Sequence, residues 1–360
     1  MERIMYYTVT FELMASTRYG ADIAAAAHNI AIGQSIGNPN IRSEIETSEN
    51  IKEMEAIVRS IEGNIVKIDF PLKAWEWPNI SQLLCTIMGG QSDIDLVYKC
   101  RVIDIQGLPY KNDPVLGMKA FKERVGAENR PLFGSIVKPK SGLTGDQLIE
   151  IVEQMVDGGA DFVKEDEIMA DNKYLPLEKR VDMISDLLAK KNSKMVYSYC
   201  VNADPIQLID NLDVVLDEGG DCVHINFWCG LGAYTTSNSM GLITHYQRSG
   251  VRILTDTSNR FSISWPVLVK LGIMAGIDTM HVGMLGGYYP EGESETETLD
   301  AISQCEVADR VAALSCGMNP VLALEIKDRI GDNWMANVGG WLHTGESIYE
   351  KVYEMRKALD

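Results

Sequence analysis

"GGADFVKEDE", Gly158 to Glu167, passes from two glycines through a short apolar run into one lysine and three acids. On a protein surface, Lys-Glu-Asp-Glu is an ordinary solvated charge run. Here it closes one of eight apolar, strand-like runs that recur about every 30 residues, the repeat of a βα unit. They are "PLFGSIVKP" (131–139), "ADFVKEDE" (160–167), "KMVYSYCV" (194–201), "DCVHINFW" (221–228), "VRILTDT" (251–257), "DTMHVGM" (278–284), "VAALSCG" (311–317) and "NWMANVGG" (333–340). Helical patterns such as "GDQLIEIVEQMVDGG" (145–159) and "DPIQLIDNLDVVLDEGG" (204–220) lie between them and close on the glycines expected after a helix. Eight strands buried on both faces and alternating with helices predict a (β/α)8 TIM barrel. The seventh is ambiguous, because "CEVADRVAAL" (305–314) also reads as helix up to Ser315.

The first third reads differently. "MYYTVTFEL" (5–13), "NIVKIDFPL" (64–72) and "DIDLVYKCRVIDI" (93–105) alternate as strands, and "ADIAAAAHNIAI" (21–32) and "PNISQLLCTIMGG" (78–90) read as helices. "IKEMEAIVRS" (51–60) has the more helical pattern. The order predicts an N-terminal α+β ferredoxin-like domain over 1–117. The connector "QGLPYKNDPVLG" (106–117) then leads to the barrel over 118–360.

The whole chain bounds the partners. Its 360 residues are 46% apolar and 23% charged, with a net charge of -18. So acidic a body offers no favourable field to a nucleic acid or an anionic membrane. The seven cysteines are scattered without a C-x-x-C pair, and no signal-peptide core or membrane-length apolar run occurs. The expected location is the cytoplasm.

In a TIM barrel the chemistry sits at the C-terminal strand ends. Strand 1 ends in Lys138-Pro139-Lys140 and strand 2 in Lys164-Glu165-Asp166-Glu167. Strand 4 passes His224 and Asn226, the fifth run ends at Asp256 with Arg260 beyond, and strand 6 carries His281. Strand 7 ends in Ser315-Cys316-Gly317 and strand 8 in Gly339-Gly340. A purely structural barrel has no need for polar groups at nearly every strand top.

The sequence resembles the ribulose-bisphosphate carboxylase large-chain superfamily across almost its whole length. The resemblance is carried by "GSIVKPKSGL" (134–143), "GGADFVKEDEIM" (158–169), "HVG" and "NVGGWLH" (337–343). It implies that Lys164 reacts with CO2, the activator, to form a carbamate that binds Mg2+ with Asp166 and Glu167. Hard Mg2+ takes oxygen ligands, and carbamylation turns an ammonium into an oxygen donor. Glu165 then points away by strand alternation. Lys138 resembles the family's proton-transfer lysine and Lys140 its neighbour. His281, Ser315, Gly317, Gly339 and Gly340 match the substrate and phosphate contacts. The resemblance also implies a homodimer, or a higher homo-oligomer of dimers, with the active site formed between subunits.

The departures are as informative. The region after strand 6, "GMLGGYYPEGESETET" (283–298), holds no lysine, whereas the carboxylases use one there to stabilise the carboxylated intermediate. Asp256 stands for a strand-5 histidine and Arg260 for a second one. Gly33, Asn38-Pro39 and Gly90 replace residues that the carboxylases use for catalysis or substrate contact. The pattern suits members that do not fix carbon. Three readings follow: an Mg2+-dependent isomerase or enolase of a phosphorylated ketose of the methylthioribulose-phosphate type, which "AIGQSIGN" and "VKEDEIMADNKYLPLEKR" favour; a decarboxylase of a phosphorylated 3-oxo sugar acid; and a non-catalytic scaffold. Four converging charges, Lys138, Lys164, Asp166 and Glu167, argue against the scaffold. His28 and His245, the latter read as a loop residue, are expected to be structural, and His224 can face either the barrel or the helix layer. Trp75 and Trp77 are expected in packing or dimer contacts, and Met274, Met280 and Met284 in the core.

Overall fold

The structure, a computed structural model, describes residues 5–37, 43–93, 96–108, 112–286 and 294–360. It contains two compact units, Met1–Tyr110 with Val251–Leu271 and Lys111–Gly250 with Gly272–Asp360.

In the first unit, strands β1 (Tyr6–Ala15), β2 (Ile57–Glu62), β3 (Ile65–Pro71) and β4 (Val97–Gln106) join helices Ile23–Gly33 and Ile80–Ile87. The sheet order β4-β1-β3-β2 is that of a ferredoxin-like fold, and a short later strand, β10 (Phe261–Ile263), adds to β4 in parallel. Tyr7, Val9, Phe11 and Leu13 alternate along β1 onto one buried face. Trp75 is buried and packs edge-on against Tyr7 and Trp77. The helical reading of 51–60 is corrected. Only Glu49–Lys52 is helical, and the β-branched run from Ile57 pairs with β3 across the turn at Gly63.

In the second unit, β5 (Leu132–Ile136), β6 (Phe162–Lys164), β7 (Val196–Cys200), β8 (Cys222–Asn226), β9 (Ile243–Gln247), β11 (Thr279–Gly283), β12 (Val311–Leu314) and β13 (Met335–Val338) close into a parallel barrel. Strand seven resolves as helix Glu295–Val307 followed by β12. The fifth strand is a correction. "VRILTDT" forms a short helix, Arg252–Thr255, in the first unit, and "ITHYQ" (243–247) takes its place in the barrel. Ile253 and Leu254 stay exposed, whereas every residue of β9 is buried. His245 and Gln247 of β9 face an interior that is itself polar, so the strand's pattern lacks the apolar continuity expected of a parallel strand. His245 is therefore a strand residue.

The barrel floor is apolar: Phe121, Leu132, Phe162, Val196, Cys222, Ile243, Val311 and Met335 pack there. Two residues further along these strands, on the same face, come Gly134, Lys164, Ser198, His224, His245, Ala313 and Asn337. The middle layer is thus largely polar where such barrels usually hold Val, Ile and Leu. No helix among the described residues is long and apolar enough to cross a membrane.

Candidate active site

Helix Gly145–Gly158 delivers the chain into β6. Thr144 and Gln147 form a capping box at its start, and Gly159, at φ +94°, ends it. Lys164, the last residue of β6, is 1% exposed. Its Nζ reaches the carbonyl oxygen of Glu165 at 3.4 Å. Burial lowers the pKa of its ammonium even though Glu167 and Asp166 oppose the shift. The amine is thereby biased toward the neutral form, the nucleophile that CO2 requires.

The three acids have three different environments. Glu165 is fully buried and clamped by Arg180, Nε to Oε1 at 2.8 Å and Nη2 to Oε2 at 3.2 Å. It also accepts from Tyr197 Oη at 3.3 Å and Cys200 N at 2.8 Å. Arg180 in turn donates to the carbonyls of Ala170 and Leu175, each at 2.6 Å, holding the loop after β6. Asp166 receives Lys138 Nζ on Oδ2 at 2.5 Å, with Lys140 Nζ 3.9 Å from Oδ1. That Oδ1 is buried without a hydrogen bond. Glu167 accepts from Ser249 Oγ at 3.0 Å and Gln247 Nε2 at 3.3 Å. Burial raises its pKa, but hydrogen bonds and the Lys164 charge outweigh that and leave it lowered.

Among the described residues no three His, Cys, Asp or Glu side chains stand close enough to hold a metal. Asp166 and Glu167 offer two carboxylates at this strand end, and Lys164 would add a third oxygen ligand as a carbamate. The residues fit Mg2+ on those terms: a buried carboxylate oxygen without a hydrogen bond, a second carboxylate and a buried amine.

Strands five to seven bring a second group together. Ser315 Oγ lies 2.6 Å from Nε2 of His281. Burial, reinforced by the charges of Arg248 and Lys164, pushes the His281 pKa down to about 3, so its ring is neutral. Arg248 follows β9 and donates to the carbonyl of Val282 at 2.9 Å. A guanidinium, a neutral imidazole and a hydroxyl together form a donor set for a phosphate. Cys316 (φ +67°) and Gly317 (φ +85°) turn the chain sharply past Ser315. Gly339 and Gly340 follow β13, and a Cβ at Gly340 would meet nothing within 4 Å.

Asp256 and Arg260 are not barrel-strand residues. They belong to the first unit, where Asp256 accepts from Ser258 and Arg252 and Arg260 lies over the rings of Tyr98 and Phe261. Gln247, Arg248 and Ser249 occupy the end of the fifth strand instead. The apolar run "VRILTDT" masks them in the sequence; the glycines at 241 and 250 bracketing Ile243 and Thr244 are the signal that marks the strand. His224 faces the barrel interior with Nδ1 3.0 Å from the carbonyl of Glu165, and His245 Nδ1 lies 2.6 Å from Thr279 Oγ1. Asn38 and Pro39 lie outside the described residues, as do 287–293 of the lysine-free loop.

This barrel, its added sheet and a lysine–acid strand end define a class, and comparison with known proteins identifies it. The profile of the ribulose bisphosphate carboxylase large chain, catalytic domain, matches residues 117–340, and that of its N-terminal domain matches 8–111. The chain belongs to the ribulose bisphosphate carboxylase large-chain family, among whose members are RuBisCO-like proteins. It is 31% identical over 251 residues to a 3-oxo-isoapionate-4-phosphate decarboxylase of Rhizobium rhizogenes, covering 66% of this chain and 59% of that one. It is 28% identical over 301 residues to the ribulose bisphosphate carboxylase of Pyrococcus furiosus, covering 78% and 71%. The chain thus spans about three-fifths of the length of the decarboxylases it matches. The crystal structure of octameric ribulose-1,5-bisphosphate carboxylase/oxygenase from Pyrococcus horikoshii shares the fold at a TM-score of 0.86 and 23% identity, covering 99% of this chain and 87% of that one.

Proposed function

We infer that the protein is an Mg2+-dependent decarboxylase of a phosphorylated 3-oxo sugar acid. The observation that carries this reading is the convergence of Lys138, Lys164, Asp166 and Glu167 at the ends of β5 and β6. With it goes a strand-6 loop that has no lysine to stabilise a newly formed carboxylate. The name of the Rhizobium relative supports the same substrate class. The active oligomer is a homodimer or an assembly of dimers; octameric and dimeric carboxylases share the fold.

When bound by Asp166, Glu167 and the Lys164 carbamate, Mg2+ supplies positive charge that polarises a ketone oxygen. Arg248, His281 and Ser315 anchor the phosphate. The C–C bond to the substrate carboxylate breaks, CO2 leaves, and the electron pair remains as an enediolate. Lys138, oriented by Asp166, donates a proton to the carbon that lost CO2. Isomerisation or enolisation of a phosphorylated ketose uses the same lysine to move a carbon-bound proton.

A screen of phosphorylated 3-oxo sugar acids and ketoses in D2O, with Mg2+ and bicarbonate, tests the reading. CO2 release with one deuterium in the product is expected; deuterium exchange without CO2 would assign the isomerase or enolase reading instead. Lys138→Met is expected to lower kcat by roughly 10²- to 10³-fold, as loss of a general acid does, while Mg2+ binding by calorimetry persists. An unchanged kcat would remove Lys138 from proton transfer.

A further inference from the structure

The two carboxylates of the candidate metal site are held by different kinds of donor. Asp166 takes the Lys138 ammonium on Oδ2 at 2.5 Å. Glu167 takes neutral donors from the end of β9 instead, Ser249 Oγ on Oε1 at 3.0 Å and Gln247 Nε2 on Oε2 at 3.3 Å. Gln247 Nε2 also lies 2.7 Å from Ser249 Oγ. A carboxylate oxygen only accepts, so the direction of every bond in this group is fixed. The nitrogen of the Gln247 amide, not its oxygen, faces Glu167. The Ser249 hydroxyl gives its hydrogen to Oε1 and accepts from the amide, so Gln247 commits both of its N–H hydrogens here.

The donors are themselves pinned to the strand end that bears their acceptor. Asn202, just beyond β7, donates Nδ2 to the main-chain oxygen of Glu167 at 2.8 Å. Its Oδ1 accepts from the main-chain N–H of Asn226, the last residue of β8, at 2.7 Å. Asn226 Nδ2 in turn donates to the main-chain oxygen of Ser249 at 3.3 Å. A closed ring of hydrogen bonds, Glu167–Asn202–Asn226–Ser249–Glu167, therefore crosses the ends of four adjacent strands, β6 to β9. The ring fixes where the donors stand relative to the Glu167 backbone. Gln247 is 5% exposed, and its Oε1 is buried without a hydrogen bond. An unpaired buried carbonyl oxygen costs stability that an apolar side chain of the same shape would not lose. The amide thus serves the Glu167 carboxylate at the expense of the fold.

We propose that Ser249 and Gln247 are positioning residues for Mg2+, which hold the Glu167 side chain in one orientation as a preformed metal ligand. The proposal rests on the reading of Glu167 as a metal ligand. Donors to a ligating carboxylate hold it in place, and their loss weakens the metal even though they never touch it. Because both donors are neutral, they orient the carboxylate and leave its negative charge to the cation. A lysine or arginine in their place would compete with Mg2+ for that charge.

The test titrates Mg2+ into the full chain by calorimetry in saturating bicarbonate. The wild-type protein is compared with Ser249→Ala, Ser249→Thr and Gln247→Met. Ser249→Ala and Gln247→Met are each expected to raise the Mg2+ Kd by about 10- to 100-fold, the usual cost of losing a group that orients a metal ligand. Ser249→Thr keeps the hydroxyl donor and is expected to stay within about threefold of wild type. Ser249 is half-buried, so its truncation is expected to spare the fold, and denaturant midpoints measured without Mg2+ report folding separately from metal affinity. A Kd within about twofold of wild type in either donor-less variant removes that residue from the role, and in both it overturns the proposal. Ser249→Thr as weak as Ser249→Ala overturns it as well, because the hydroxyl is then not what holds Glu167. If the wild-type protein binds no Mg2+, the metal-ligand reading of Glu167 falls and the positioning role with it. If it binds Mg2+ and the variants match it, only the positioning role falls.

Discussion

Lys164→Ala is expected to reduce CO2 release by at least about 10⁴-fold, because the several kcal/mol supplied by a Lewis acid disappear at about 1.4 kcal/mol per factor of ten. The reason lies in the ligand count. Asp166 and Glu167 are the two carboxylates at the end of β6, and the described residues offer no third His, Cys, Asp or Glu to complete a metal site. Alanine cannot form a carbamate, so Mg2+ titrated into this variant should give no site-specific heat even with bicarbonate present. Folding should be spared. Burial disfavours the Lys164 ammonium, and removing a buried group whose charge is incompletely compensated costs the fold little. Mg2+ binding and turnover retained in Lys164→Ala would exclude the lysine from the site.

Arg180→Met is expected to act on the fold. Both Arg180 and Glu165 are fully buried. Removing the guanidinium leaves the Glu165 carboxylate with only Tyr197 Oη and Cys200 N as donors. Breaking one side of a buried ion pair costs about 3–5 kcal/mol. It also frees the carbonyls of Ala170 and Leu175 and loosens the loop that follows the candidate metal ligands. Denaturant unfolding should show a loss of that size. Glu165→Gln/Arg180→Met should recover part of it, since the double variant buries no unpaired charge. A midpoint equal to wild type would mean that the pair holds neither fold nor loop.

How much of this was legible in the sequence follows from how side-chain burial writes itself into a pattern. The strands ending near Lys138, Lys164, His281, Ser315 and Gly339 are apolar runs bounded by glycines, and the charges after β5 and β6 stand out against them. Strands β1, β3 and β4 of the first unit are likewise legible from their alternation. Strand β9 broke the rule because His245 and Gln247 point into a polar barrel interior, while Ile253 and Leu254 imitated a buried strand from an exposed helix. Asp256 and Arg260 were therefore expected where Gln247 and Arg248 stand. Strand β2 was hidden similarly, since half of "IKEMEAIVRS" is helix-like and its strand half stays largely exposed. The bonds from Gln247 and Ser249 to Glu167 join residues 80 and 82 positions apart, and no local pattern carries them.

The proposed chemistry depends on Lys164 being an oxygen ligand, and carbon-13 NMR tests this without knowledge of the substrate. The wild-type protein in 13C-bicarbonate with Mg2+ should show a protein-bound carbamate resonance that Lys164→Ala lacks. An enzyme that turns over its substrate with no such resonance, or one that keeps the resonance after Lys164→Ala, would contradict the account.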